Sequence, residues 1–231
     1  MIVFAHRGAS AARVQNTLSA FSLARAQGAT CYELDVHLLK DGQLAVHHDY
    51  SLAATAGVDV ALADLTTADL RHYPLTNPFD DTPEYVPLLS EVLPIITAQL
   101  QCLNIEIKND DNIYPALEDV LCRQVRAWPA ELQSKVLFSS FDVPALQRLR
   151  SLMPKARIGL LTRCFDEEQA AQLEVESVHI SHTRLTPSIL DTCHRRGWKV
   201  LVYTVNDRTL AEQLQTQGVD GIFTDHVEWF L

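Results

Sequence analysis

At 231 residues with 47% apolar side chains, the chain has the size and core of one α/β domain, and no unbroken apolar run of about 18 residues is present to cross a membrane. A formal charge of −10 argues against nucleic-acid binding and against stable membrane association, so an anionic ligand needs a locally positive site. Five scattered cysteines without a C-x-x-C (Cys31, Cys102, Cys122, Cys164, Cys193) argue against a disulfide framework or zinc ribbon and fit a reducing, cytoplasmic setting.

The chain opens directly on an apolar run, with no basic region ahead of a long hydrophobic one, so no signal peptide is expected. Ile2 to His6 reads as a strand. Thr17 to Gln27 reads as a helix, with Leu18, Phe21 and Leu23 apolar and Gly28 as the stop signal. Cys31 to Leu38 is a strand, and Leu44 to His48 its return arm across the turn signal Lys40-Asp41-Gly42. Tyr50 to Pro87 breaks the rhythm with weak helical signals, Pro74, Pro78, Pro83 and Pro87, and the aromatics Tyr73, Phe79 and Tyr85. It reads as an insertion at about 50–87, between the second barrel strand and its helix.

Leu88 to Gln101 is helical, Leu103 to Lys108 a strand and Ile113 to Trp128 a helix. Strands are then expected at Val136 to Phe141, Arg157 to Thr162, Ser177 to Ser181, Lys199 to Val205 and Gly221 to Thr224. Helical patterns fill the intervals at Pro144 to Leu152, Glu167 to Leu173, Pro187 to Arg196 and Thr209 to Gln217. Thr186-Pro187 supplies an N-cap with proline at the first helical position. With the return arm set aside, eight strands alternate with helices, which predicts a closed (β/α)8 TIM barrel as a single domain over 1–231. An open doubly wound sheet is the alternative, but no G-x-G-x-x-G is present.

Glu33 and Asp35 stand two apart on a strand, so both side chains face one way while Leu34 and Val36 face the helices. Glu106 repeats this on the next barrel strand, between Ile105 and Ile107, with Asn104 and Lys108 on its own face. Adjacent carboxylates inside a barrel need a cation, and an all-oxygen donor set points to one divalent ion, Mg2+ or Ca2+. His6 closes the first strand and is followed by Arg7, whose fork suits a phosphate, and by Gly8, which permits an unusual backbone path. His48 lies beside His47 and Asp49 at the end of the hairpin arm. Two histidines at the active face of a barrel can serve as general acid and general base in turn.

These residues fall into a familiar order: Ala5-His6-Arg7-Gly8-Ala9, Asn16-Thr17, Glu33-Leu34-Asp35-Val36, Lys40-Asp41-Gly42, His48-Asp49, Asn104-Ile105-Glu106-Ile107-Lys108, Ser139-Ser140-Phe141-Asp142 and Val202-Tyr203-Thr204-Val205-Asn206. From Val3 to Asp225 the chain resembles the glycerophosphodiester phosphodiesterases, in particular the short cytoplasmic bacterial type. The resemblance implies a (β/α)8 barrel with His6 and His48 as the acid–base pair. It implies Glu33, Asp35 and Glu106 as metal ligands, Arg7 and Lys108 facing the phosphate, and Tyr203 lining the pocket where many members have Trp. The implied partner is a small-molecule phosphodiester, cleaved to sn-glycerol 3-phosphate and an alcohol such as choline or ethanolamine. The attacking group is either the glycerol 2-hydroxyl, through a cyclic phosphate, or water. Oligomeric state is left open. The alternatives are a lysophospholipase D-like hydrolase and a barrel that only binds phosphodiesters.

The chain departs from the family pattern at Val14-Gln15-Asn16-Thr17, where Gln15 replaces a usual Glu, and at Pro87-Leu88-Leu89, where Leu88 replaces a usual Thr. Gln15 keeps hydrogen bonding but removes one negative charge near the site. Neither change touches an acid–base residue or one of the three carboxylates.

Overall fold

A parallel sheet closes only if its first strand finds two partners, and β1 (Ile2–His6) pairs in parallel with β2 (Cys31–Leu38) and with the last strand of the chain. The computed structural model describes residues 1–230. Between these lie β3 (Leu44–Val46), β4 (Cys102–Ile107), β5 (Val136–Ser140), β6 (Arg157–Thr162), β7 (Ser177–Ser181) and β8 (Lys199–Tyr203), before β9 (Gly221–Thr224). The order β1-β2-β4-β5-β6-β7-β8-β9 returns to β1, a closed barrel of parallel strands without a free edge. β3 is the exception: it runs antiparallel to β2, pairing Val36 with Val46 beyond the point where β1 ends.

The helices in chain order are α1 (Leu18–Ala26), α2 (Ala53–Ala56), α3 (Thr67–Leu70), α4 (Leu89–Ile96), α5 (Leu117–Arg126), α6 (Ala130–Gln133), α7 (Val143–Leu152), α8 (Glu167–Gln172), α9 (Pro187–Arg195) and α10 (Arg208–Gln217). Local chemistry sets their starts. Thr17, Asp142, Asp166, Thr186 and Asp207 each accept a backbone N–H of the first turn on the side-chain oxygen. Alternation along the strands then sorts the cores. Leu34, Val36, Ile105, Phe138, Val178 and Val200 face the helices in one large apolar cluster with Phe21, Val92, Leu121 and Leu146. Phe4, Cys31, Cys102, Leu137, Leu201 and Phe223 form a separate cluster. Each such large side chain contributes roughly 1.5–3 kcal/mol on full burial. The segment between β3 and α4 packs on a third cluster, with Leu52, Leu62, Leu65, Leu70 and Leu75 against Leu39 and Ala45.

Several boundaries differ from the sequence reading. The helix expected over Leu88 to Gln101 ends at Ile96 and tightens into a 3-10 turn over Thr97–Gln99. The helix expected from Ile113 starts only at Leu117. Asn109 causes that delay: its amide accepts from Tyr114 N at 2.8 Å and donates to Tyr114 O at 3.1 Å, so side-chain bonds replace a first helical turn. Asp111 and Asn112 there have φ +56°. β3 stops at Val46, short of His47 and His48. β8 stops at Tyr203, short of Val205. The short α6 carries no signal that periodicity detects. Among the described residues no helix is long and apolar enough to cross a membrane.

Candidate active site

Polar side chains gather where the barrel strands end. Strand register does most of the placement: β1–β2 pairing sets His6 beside Glu33, and β2–β4 pairing sets Asp35 beside Glu106. Glu33, Asp35 and Glu106 each present an oxygen within 4.8 Å of the others, and all three are buried. Beyond His6 the chain turns sharply, with Arg7 at φ +57° and Gly8 at φ +84°. A Cβ on Gly8 would lie 2.6 Å from the Ala20 carbonyl carbon, so β1 and α1 approach too closely for any side chain.

The left-handed backbone at Arg7 is fixed from several directions. Its N–H donates to Glu33, at 3.1 Å to the carbonyl and 3.0 Å to Oε2. Its Nε lies 3.3 Å from Asp35 Oδ2, and its Nη1 donates to Gln15 Oε1 at 2.6 Å. Gln15, the departure from the family pattern, thus holds one arm of the guanidinium fork. Asn16 donates to Asp35 Oδ2 at 2.8 Å. Lys108 Nζ lies 2.7 Å from Glu106 Oε1 and 3.5 Å from Asp35 Oδ1.

Three buried carboxylates therefore face two cations, and the imbalance shows in their ionisation. Burial, then Asp35, pushes Glu33 well above the usual carboxylate range, and the same two causes raise Glu106. Burial opposes ionisation of Asp35 as well, but Arg7 and Lys108 together hold it well below the usual range. Two buried carboxylate oxygens, Glu33 Oε1 and Asp35 Oδ1, have no hydrogen-bond donor, and neither does the amide oxygen of Asn104. A hard divalent cation fits such a donor set: it supplies the missing positive charge and needs only oxygen ligands.

Each candidate histidine has a carboxylate on Nδ1. His6 Nδ1 lies 2.7 Å from Asp225 Oδ1, and His48 Nδ1 lies 2.6 Å from Asp49 Oδ1. A carboxylate accepts, so Nδ1 carries the proton and Nε2 is left to exchange one. Asp225 also accepts from Ser10 at 2.9 Å and from Asn206 at 2.6 Å. Burial lowers the pKa of His6, while the Asp225 hydrogen bond pulls it upward; burial likewise lowers that of His48. His47 turns away from the cavity, with Nε2 3.2 Å from Thr55 Oγ1. His37, near the end of β2, bonds Tyr114 Oη at 2.9 Å and reaches the His48 carbonyl at 3.3 Å.

A cavity of about 370 Å3 opens among these groups. Of the residues singled out from the sequence, His6, Arg7, Glu33, His48, Glu106 and Tyr203 line it; Asp35 and Lys108 are buried beside them. A second cavity, of about 440 Å3, shares His6 and Arg7 and runs past Gln15, Thr55 and Phe79. Sequence reasoning missed Asp225, the partner of His6. Its signal was its place directly after the last barrel strand, where active-site residues of such barrels sit.

The glycerophosphoryl diester phosphodiesterase family model matches residues 6–229. A glycerophosphodiester phosphodiesterase of Caldanaerobacter subterraneus is 32% identical over 98% of this chain and 95% of its own. One from Bacillus altitudinis is 32% identical over 96% and 94%. A phosphodiesterase of Oleispira antarctica, solved in complex with the product sn-glycerol 3-phosphate, superposes with a TM-score of 0.89 at 28% identity, covering 99% of this chain and 94% of that one. The chain belongs to the glycerophosphoryl diester phosphodiesterase family.

Proposed function

We propose that this chain hydrolyses water-soluble glycerophosphodiesters to sn-glycerol 3-phosphate and an alcohol, with a divalent cation on Glu33, Asp35 and Glu106 and with His6 and His48 as the acid–base pair. One observation carries the reading: two carboxylate-backed histidines and Arg7 share a cavity with Glu33 and Glu106 of the three-carboxylate cluster.

The work a phosphodiester demands is charge neutralisation, alignment and proton transfer. When bound, the cation would supply Lewis-acid neutralisation of the phosphoryl oxygens. Arg7 adds a fixed guanidinium whose position is set by Asp35 and Gln15. Lys108 holds Glu106 and Asp35 in place from beside the cavity. One histidine takes the proton of the attacking hydroxyl, from the glycerol 2-position or from water, at Nε2. The other, as imidazolium, gives its Nε2 proton to the leaving alkoxide; where the 2-hydroxyl attacks, water then opens the cyclic phosphate with the two roles exchanged. Asp225 and Asp49 keep each imidazole in the tautomer that allows this and favour the imidazolium form.

The test is turnover with and without metal. Excess chelator should abolish hydrolysis, added Mg2+ or Ca2+ should restore it, and Glu106→Gln should lower metal affinity and kcat together. Full activity in excess chelator would remove the metal from the reading. Comparing a water-soluble diester with a lysophospholipid separates this reading from a lysophospholipase D, and failure on both would leave a binding barrel.

A further inference from the structure

The carboxylates lining the main cavity are Glu33 and Glu106, both on the β2–β4 side. The opposite arc, from the loop after β6 to the end of β8, is lined among the described residues by Arg163, His179, Ser181, Thr183, Arg184 and Tyr203, with no carboxylate. Arg163 and Arg184 are exposed, and neither makes an ion pair within the described residues. That is notable in a chain with 29 acidic and 19 basic side chains, where acidic partners are in surplus. Arg163 follows directly on the C-terminal end of β6 and Arg184 stands three residues past that of β7, the face from which this architecture reaches its substrates.

The aromatic side chains bear on the same question. Phe141 and Tyr203 meet edge to face, with ring centroids 6.0 Å apart. An aromatic corner of this kind would suit a quaternary ammonium. Here the Arg163 guanidinium lies 4.4 Å from the centroid of Phe141, so that ring face already carries a cation. A choline-like head group entering this arc meets two guanidiniums. A phosphate or carboxylate meets two planar donor forks, plus the hydroxyls of Ser181 and Thr183, which lie 2.9 Å apart.

We propose that Arg163 and Arg184 are specificity-determining residues that favour diesters whose alcohol carries a second anionic group over those whose alcohol is a quaternary ammonium. The inference rests on the phosphodiesterase reading above and adds a substrate class to it.

The experiment measures kcat/KM of the metal-loaded enzyme on three glycerophosphodiesters: an anionic probe (glycerophosphoinositol 4-phosphate), a neutral one (glycerophosphoglycerol) and a cationic one (glycerophosphocholine). The wild type should prefer the anionic probe over the cationic one. Arg163→Gln with Arg184→Gln should cut that ratio about tenfold, each single change giving part of it, as expected for exposed ion pairs. Raising salt from about 50 mM to about 500 mM should shrink the wild-type ratio and leave that of the double variant nearly flat, because exposed charges are screened over this range. Both side chains are exposed, so the fold should hold, and a ratio is insensitive to partial loss of active protein. Equal losses on all three probes, or turnover of the neutral probe with no charge preference in the wild type, would overturn the inference and leave the phosphodiesterase reading standing. No turnover of any probe would overturn that reading, and this inference with it.

Discussion

The two sides of the main cavity are built on different principles. On the β1–β4 side the charged groups are held: His6 by Asp225, His48 by Asp49, Arg7 by Asp35 and Gln15, and Lys108 by Glu106. On the β6–β8 side Arg163 and Arg184 are exposed and stand without ion-pair partners among the described residues, while His179 beneath them is buried and bonded through Nε2 to Ser177 at 2.8 Å. Held groups have already given up their rotamer freedom and need no reorganisation as charge develops, which is what a transition state rewards. Loose groups can adjust to different ligands. On the function proposed above, bond breaking falls to the first side and choice of substrate to the second.

The sharpest way to break that contrast is at the histidines. His6→Ala and His48→Ala should each lower kcat by about 10²–10⁴ without unfolding the protein, and the double variant should lose less than the product of the two. Circular dichroism with steady-state kinetics checks this. If His47→Ala is the damaging change and His48→Ala is silent, the held pair has been misassigned.

The carboxylates behind the histidines come next. Asp225→Asn should cost about 10² in kcat and Asp49→Asn about tenfold, the smaller loss falling on the more solvated partner. Asp225 raises the His6 pKa through hydrogen bond and charge, so its neutralisation should move the His6 limb of the kcat/KM profile to lower pH. A loss of kcat with an unmoved profile would mean that Asp225 only packs.

On the β6–β8 side, buried His179 offers a test of stability. Burial holds its pKa down to about 3, against 6.5 in a solvated chain. Below pH 6.5 the unfolded chain takes up a proton that the folded one refuses, so stability falls as pH falls from 6.5 toward 3. From pH 7 to pH 5 this amounts to about 2 kcal/mol, at roughly 1.4 kcal/mol per pH unit. Urea unfolding at both pH values should show the drop in the wild type and a smaller one in His179→Gln. An identical drop in both would assign the acid sensitivity elsewhere.

The smallest effect should come from Gln15→Glu. A carboxylate there would share Arg7 with Asp35 and add one negative charge beside the metal ligands. Half-maximal activity should then come at about fivefold lower metal concentration, the size of a partly solvated charge at this range. An unchanged metal titration would reduce position 15 to a hydrogen-bonding role.

What was readable in the sequence follows from the range of the interaction. Glu33, Asp35 and Glu106 were found because a strand repeats every two residues, and outward-facing Leu34 and Ile105 mark the phase. Asp49 stood next to His48. Asp225 was not found because its partner lies 219 residues away, brought near only when the barrel closes. Choosing between His47 and His48 also lay beyond alternation, since both follow the end of β3 and their directions depend on contacts such as Thr55. Helix starts were legible where a Thr or Asp caps them. The start of α5 was not, because Asn109 bonds a backbone that continues no helix.

The His6–Asp225 bond also bears on how activity appears during synthesis. A ribosome delivers His6 219 residues ahead of Asp225, so a nascent chain carries the three carboxylates and both histidines long before the pair can meet. Until β9 docks between β8 and β1, His6 has no carboxylate behind it and the cavity has no second wall at that seam. On the function proposed above, chains that stop ahead of Asp225 should carry His6 and His48 without the His6–Asp225 bond, and hydrolysis should report on barrel completion.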